Sequence, residues 1–242
     1  MENRHIEIKE GTSLQLFKLP EQMIDYLWER IDVAKKKKIC YKNNLAGHIS
    51  HSYKLEDPKN LVVEKLFKVV YNQVDNQSMF NFVSGELESI YKKMFLDHNK
   101  KVVIKPHLNG LWVNFQKKGE FQPIHNHSGL LSFVIWMDIP YHSKDEAKLP
   151  FTPSINNRRP PGGNFCFVYP DPDSRSVSEY TIEMSPNMNG YCCFFPSDLC
   201  HQVYPFYTSD KDRISISGNI VFEMEDSSEQ RSQQFPFIVS NT

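Results

Sequence analysis

Residues 121–140, FQPIHNHSGLLSFVIWMDIP, place two histidines, His125 and His127, directly before an apolar run from Leu130 to Ile139. The run is built of β-branched, aromatic and aliphatic residues and stops at Pro140, so it reads as a strand buried in a sheet. Alternate residues of a strand share a face. If the chain is extended at His125 and Asn126, both imidazoles therefore turn the same way, as a chelating pair does. Runs of the same kind surround this one: VVIKP, LWVNFQK, NFCFVYP, YTIEM, GYCCFF and RISISGNIVFEM, each punctuated by Gly, Pro, Asn or Asp. Seven or more short strands in about 125 residues predict an all-β sandwich or barrel.

Upstream of residue 101 the pattern changes. Residues 5–19 read as a strand, HIEIKE, a turn at Gly11 and a second extended piece, LQLFKL. Pro20 sits where a helix starts, and Met23, Ile24, Leu27, Trp28 and Ile31 recur at steps of three and four, which is one stripe of an amphipathic helix. Lys35 to Lys38 then read as its solvated end. Residues 39–57 are loop-like and carry His48 and His51, read as surface or capping residues. Two further helices are expected over roughly 59–73 and 79–97, joined by residues 72–78 and packed against a sheet. The whole is read as one domain: residues 1–100 mainly helical support, 101–225 the β core, and 226–242 a tail whose FPFIV docks as an edge strand or on the helices. Between the strands, Tyr141 to Gly163 is a Pro/Gly-rich loop of the length that often binds or covers a ligand.

Composition narrows the function classes. The 28 basic and 29 acidic residues leave a net charge of −1, which is no electrostatic footprint for nucleic acid or a membrane surface. Five cysteines, an odd number without C-x-x-C spacing and mostly inside apolar runs, fit reduced thiols better than a disulfide frame. The charged start, MENRHIEIKEG, lacks an apolar signal segment, and no run approaches the roughly 20 apolar residues of a membrane span. A soluble protein of the cytoplasm is expected.

The chemistry is concentrated in two polar islands. One holds His125 and His127. The other, FFPSDLCHQVYPFYTSDKDRISISGNIVF, holds His201 and Arg213 between apolar runs. Imidazole is a good donor for iron, zinc or copper. Strands distant in sequence can lie side by side in a rolled sheet, so His201 can complete a set of three. Arg213 carries a permanent, fork-shaped charge suited to a carboxylate, and Ser215 shares its strand face. Such a set describes a site for a chelating oxo-acid. Asn114, on the LWVNFQK strand, is a candidate oxo-acid or substrate contact, with a sheet-edge hydrogen bond as its alternative. His107 and His142 are expected at the surface.

From about Trp112 to Phe222 the sequence resembles the iron(II)- and 2-oxoglutarate-dependent dioxygenase superfamily, in particular a bacterial and phage branch with a His-x-His motif. The matching residues are Trp112, Asn114, Gly119, His125 and His127, then the block Phe195-Pro196-Ser197-Asp198-Leu199-Cys200-His201. They close with Arg213-Ile214-Ser215-Ile216-Ser217 ahead of Asn219, and NNLAGHI at 43–49 is similar too. The resemblance implies a mainly β fold with flanking helices: a double-stranded β-helix (jelly roll, cupin-like) core supported by N-terminal α-helices. It further implies that His125 and His201 bind Fe(II), and that Arg213, with Ser215 as a second contact, holds the distal carboxylate of 2-oxoglutarate. O2 would then be consumed, 2-oxoglutarate released as succinate and CO2, and a peptide side chain or small metabolite hydroxylated. If phage-encoded, the protein would work in the host cytoplasm.

One position departs from the superfamily, which usually has His-x-Asp or His-x-Glu and so two histidines and a carboxylate. Here the third position is His127, read as a metal ligand. A site with two protein ligands, as in halogenating relatives, and a substitute acid at Asp138 or Asp198 are the alternatives. Two other functions stay open: a three-histidine cupin-like dioxygenase that uses no 2-oxoglutarate, and a non-catalytic jelly-roll binding module.

Overall fold

The structure, a computed structural model, describes residues 4–9, 12–66, 102–151, 162–171, 175–226 and 237–238. The expected helix at 79–97, residues 67–73 of that at 59–73, and residues 152–161 of the long loop lie outside them. The chain divides into two compact units, residues 1–57 with 110–219 and residues 58–109 with 220–242.

The first unit contains the β core. Strands β1 (Arg4–Lys9) and β2 (Thr12–Lys18) form the expected N-terminal hairpin. After it, α1 (Glu21–Lys37) begins behind Pro20 and buries Met23, Leu27, Ile31 and Ala34. Its last turn carries Lys35, Lys36 and Lys37, where cations complement the exposed carbonyls. Lys38 ends it in the left-handed region at φ 50°, donating its N–H to Ala34 O at 2.8 Å.

The segment read as a loop holds one short strand, β3 (His51–Lys54), on which alternation is visible: Ser52 is buried while His51 and Lys54 are exposed. The runs VVIKP and LWVNFQK form a single strand, β4 (Val102–Gln116), because the bend between them is taken up at Gly110, φ +102°. There follow β5 (Gln122–His125), β6 (Leu131–Asp138), β7 (Phe165–Asp171), β8 (Ser176–Ile182), β9 (Tyr191–Pro196), β10 (His201–Val203) and β11 (Arg213–Asp226).

Two antiparallel sheets result. The larger runs β1-β2-β9-β6-β11-β4, with β3 also on β4. The smaller runs β5-β10-β7-β8. Apart from the β1–β2 and β7–β8 hairpins, neighbours in both are distant in sequence, which is the jelly-roll connectivity. The core lies between the sheets. Leu14, Leu16, Val134, Trp136, Tyr191, Cys193 and Phe195 come from the larger sheet, and Phe165, Phe167, Ile182 and Val203 from the smaller. The fold is thus a mainly β, double-stranded β-helix with few helices. All five cysteines are free, and Cys166, Cys192 and Cys193 are buried, with burial pushing their thiols above the usual range.

In the second unit, residues 61–66 are helical and bury Val62, Val63 and Leu66. There β12 (Phe237–Ile238), from the expected FPFIV strand, pairs antiparallel with β4 at Ile104 and Val103. No helix among the described residues is long and apolar enough to cross a membrane.

Candidate active site

The geometry of the site begins with an irregular strand. In the β5–β10 pair, His201 lies opposite His125 and Val203 opposite Gln122, so three steps on β5 match two on β10. That extra residue is a β-bulge, which re-aims side chains along a strand. Here it brings Gln122 and His125, at odd spacing, to one pocket. His127 lies beyond the end of β5, so strand alternation does not orient it. Its backbone N–H instead donates to Ser197 O at 2.8 Å. Ser197 is fully buried and joined through its hydroxyl to Ser132, which donates to Asn219 Oδ1, both contacts at 2.8 Å. The serine of the FPSDLCH block thus holds the second histidine of the other island, a role its spacing did not suggest.

The three imidazoles converge. One nitrogen of each ring of His125, His127 and His201 lies within 4.8 Å of the others, and among the described residues no carboxylate or thiol joins them. Ring centroids are 4.3 Å apart for His125 and His201, 5.0 Å for His125 and His127, and 4.9 Å for His127 and His201. Carbonyls fix two tautomers. His125 Nδ1 lies 2.7 Å from Pro123 O, and His201 Nδ1 lies 3.1 Å from Leu199 O. A carbonyl only accepts, so each Nδ1 carries the hydrogen and each Nε2 keeps its lone pair, the arrangement found behind metal-ligating histidines. His127 Nε2 lies 3.2 Å from His201 Nε2, close enough that one ion or proton must mediate if both present lone pairs.

Burial enforces neutrality. Desolvation, with the neighbouring His125 second, lowers His127 to about 4. Desolvation also lowers His125, and lowers His201 well below the usual imidazole range. All three rings are therefore unprotonated near neutral pH and available as donors. His201 is packed among Phe165, Phe167 and Phe195, whose apolar faces exclude water from it.

Arg213 lines the same pocket, as do Ser215 and Ser217 from its strand face. It is buried at 2% exposure, yet among the described residues its hydrogen bonds run to neutral oxygens, Tyr141 Oη at 3.1 Å and Gly163 O at 3.3 Å. A buried cation without a counter-charge is costly, so this pocket is suited to an anion. Three neutral imidazoles, two of them held in the ligand tautomer, with that cation in the same pocket, fit a divalent metal chelated by a dicarboxylic oxo-acid.

Other expected residues are placed elsewhere. Asn114 stands between Trp112 and Gln116, both of which line the pocket, but its Oδ1 accepts the Ser52 hydroxyl at 2.7 Å and it does not line the pocket itself. The sheet hydrogen bond is thus the contact its geometry provides. Asp138 and Asp198 are not in the cluster. His48 is exposed and stacks on Phe121 at 4.8 Å, and His51 packs on Tyr53. Leu45, Gln116 and Gln122 line the pocket without having been singled out as strong site residues. Leu45 falls in the NNLAGHI stretch, and among the described residues it is the one lining residue from outside 110–219.

Residues 110–219 match the family described as "Putative 2OG-Fe(II) oxygenase". No curated protein matches the chain. Similar solved structures include a Pseudomonas putida prolyl-4-hydroxylase (16% identity, 86% of this chain and 91% of that one, TM-score 0.43). A Trichoplax adhaerens prolyl hydroxylase, in complex with a hypoxia inducible factor oxygen degradation domain peptide fragment, gives 10% identity, 88% and 83% coverage, and a TM-score of 0.42. An oxidoreductase of the 2OG-Fe(II) oxygenase family from Burkholderia pseudomallei gives 13%, 88% and 85%, and 0.39. The matched span holds His125, His127, His201 and Arg213. Residues 110–219, which carry the three histidines and Arg213, are thus similar to the 2OG-Fe(II) oxygenase family, a likeness that implies Fe(II) as cofactor and 2-oxoglutarate as co-substrate.

Proposed function

We propose that the protein is a hydroxylase in which His125, His127 and His201 hold Fe(II) and Arg213, aided by Ser215, holds the distal carboxylate of 2-oxoglutarate. The observation that carries the reading is the convergence of three neutral imidazoles in a pocket shared with a buried arginine that makes no ion pair among the described residues. When bound, iron and oxo-acid together supply the activation of O2 and the oxidation of an unactivated C–H bond, with release of succinate and CO2.

The protein's own residues bind, orient and exclude water. Pro123 O and Leu199 O hold two imidazoles with Nε2 free, and Ser197 O fixes the approach of His127. Phe165, Phe167 and Phe195 keep solvent from His201. Because His127 replaces the usual carboxylate, the ligand set is neutral and the metal keeps one more unit of positive charge, which favours an anionic oxo-acid. The remaining wall, with Leu45, Trp112, Gln116 and Gln122, is uncharged and is offered to the substrate, a peptide side chain or small metabolite.

The test is an anaerobic titration with Fe(II) and then 2-oxoglutarate, followed by visible absorbance, since oxo-acid chelation of ferrous iron produces a charge-transfer band. A saturable band is expected, absent in His201→Ala and much weakened in Arg213→Ala. His127→Ala should weaken iron binding. If His127→Ala binds iron as wild type does, the metal has two protein ligands. Iron binding without the band would make this a three-histidine dioxygenase that uses no oxo-acid. Absence of iron binding would leave a jelly-roll binding module.

A further inference from the structure

We infer that Ser132, Ser197 and Asn219 are positioning residues for His127: a buried chain of hydroxyls and an amide that holds the third imidazole where the metal needs it. The inference deepens the reading of His127 as a metal ligand and rests on it.

The three histidines are held in different ways. His125 and His201 each have a ring nitrogen on a carbonyl two residues earlier in the chain, Pro123 O and Leu199 O. Each is oriented from within its own segment. Among the described residues His127 has no such carbonyl, and its Nε2 meets His201 Nε2 at 3.2 Å. It also lies past the end of β5, so its place is set by its backbone.

That backbone hangs on Ser197. His127 N–H donates to Ser197 O at 2.8 Å, and Ser197 N–H donates to Leu130 O at 3.1 Å. Both ends of the turn from His127 to Leu130 are therefore pinned to one residue, with Gly129 at φ +110° between them. Where Ser197 goes, His127 follows.

Ser197 is fixed in turn by its side chain. Ser132 gives its one hydrogen to Asn219 Oδ1 at 2.8 Å, so in the 2.8 Å contact between the hydroxyls Ser197 is the donor. The chain is directed, Ser197 to Ser132 to Asn219, and it ties the turn after β9 to β6 and β11. Ser197 is fully buried, Ser132 is 1% exposed and Asn219 8%. Val134 and Trp136 share the strand face of Ser132, and Phe195 is its partner on β9, all three in the apolar core. Polar groups at that depth cost stability unless each is satisfied. What they add over methyl groups is direction, and here the direction fixes the peptide that carries His127.

The experiment measures Fe(II) dissociation constants anaerobically, by competition with a chromophoric chelator, in wild type, Ser132→Ala, His127→Ala and the double variant. Urea unfolding is followed beside it. In Ser132→Ala the Ser197 hydroxyl loses its acceptor and Asn219 Oδ1 its donor, so the turn loses its brace. The dissociation constant should rise about tenfold, the lower end of what supporting partners of metal ligands contribute. On top of His127→Ala the same substitution should change it by less than about twofold, because the ligand it serves is gone. Wild-type iron affinity in Ser132→Ala, whatever its urea midpoint, would overturn the proposal and leave the chain a matter of stability alone. Equal weakening with and without His127 would also overturn it, since the effect would then run through His201 or the fold at large. If Ser132→Ala does not fold, Ser197→Ala decides by the same cycle, since it keeps the carbonyl that holds His127. Wild-type iron affinity in His127→Ala would instead remove the ligand reading, and this inference with it.

Discussion

At the residue scale, Glu146 shows how a buried charge can be structural. It ends a single helical turn, Ser143–Glu146, and is 1% exposed. Its Oε2 accepts Tyr207 N–H at 2.8 Å, and its Oε1 accepts Thr208 N–H at 2.9 Å together with the Thr208 hydroxyl. Two backbone donors and a hydroxyl satisfy both oxygens, which is why the carboxylate is tolerated there. In Glu146→Gln one oxygen becomes an NH2 facing a donor. We expect a loss of about 1–3 kcal/mol, seen as a lower urea midpoint with unchanged slope, and iron affinity as in wild type. Nothing in the sequence marks Glu146, because Tyr207 and Thr208, which donate to it, lie some sixty positions away. By contrast His125, His201 and Arg213 were legible, since few jobs need imidazoles and a guanidinium between apolar runs. Asn114 was legible as polar but not in its direction; Ser52, which takes its amide oxygen, lies on a strand the periodicity did not reveal.

At the scale of elements, long strands were readable and short ones were not. The periodic runs gave β6, β7, β8, β9 and β11, whereas β5 and β10, at four and three residues, are too short to show alternation. Those two carry His125 and His201. The bulge in β5 is less readable still, because it is defined by its partner's register and not by its own residues.

The pocket-lining segment around Leu45 is another such element. It is tied down by Glu120, whose Oε1 accepts Ser50 N–H at 2.9 Å and the Ser50 hydroxyl, and whose Oε2 accepts Lys117 N–H at 2.9 Å. These bonds are exposed, so each contributes only about 1 kcal/mol. In Glu120→Ala, amide exchange at Ser50 and Lys117 should accelerate about tenfold, while the thermal midpoint moves by no more than a few degrees. Unchanged exchange at Ser50 would show that the bridge between His48 and Phe121 holds the segment alone.

For the whole molecule, the three histidines tie stability to pH with a definite sign. Unfolded imidazoles titrate near 6.5. In the fold all three are lowered, chiefly by burial, His127 to about 4. As pH falls through about 6.5 the unfolded chain takes up protons that the folded one refuses, so stability is full above that pH and drains away below it. The loss ends only when the folded rings themselves protonate, around pH 4 for His127. The metal-free protein should therefore have a nearly constant thermal midpoint from about pH 8 to 7 and a falling one from about 6.5 downward. On the proposed ligand set Fe(II) would take the same lone pairs that protons take, so loading should raise the midpoint at neutral pH, and a chelator should reverse it. The rings titrate as a coupled group, so a variant that keeps two of them keeps part of the slope. Replacing His125, His127 and His201 together by alanine should flatten the metal-free profile and abolish the shift on iron addition. A triple variant that keeps the wild-type acid slope would mean that other groups, and not this cluster, set the stability of the fold in acid.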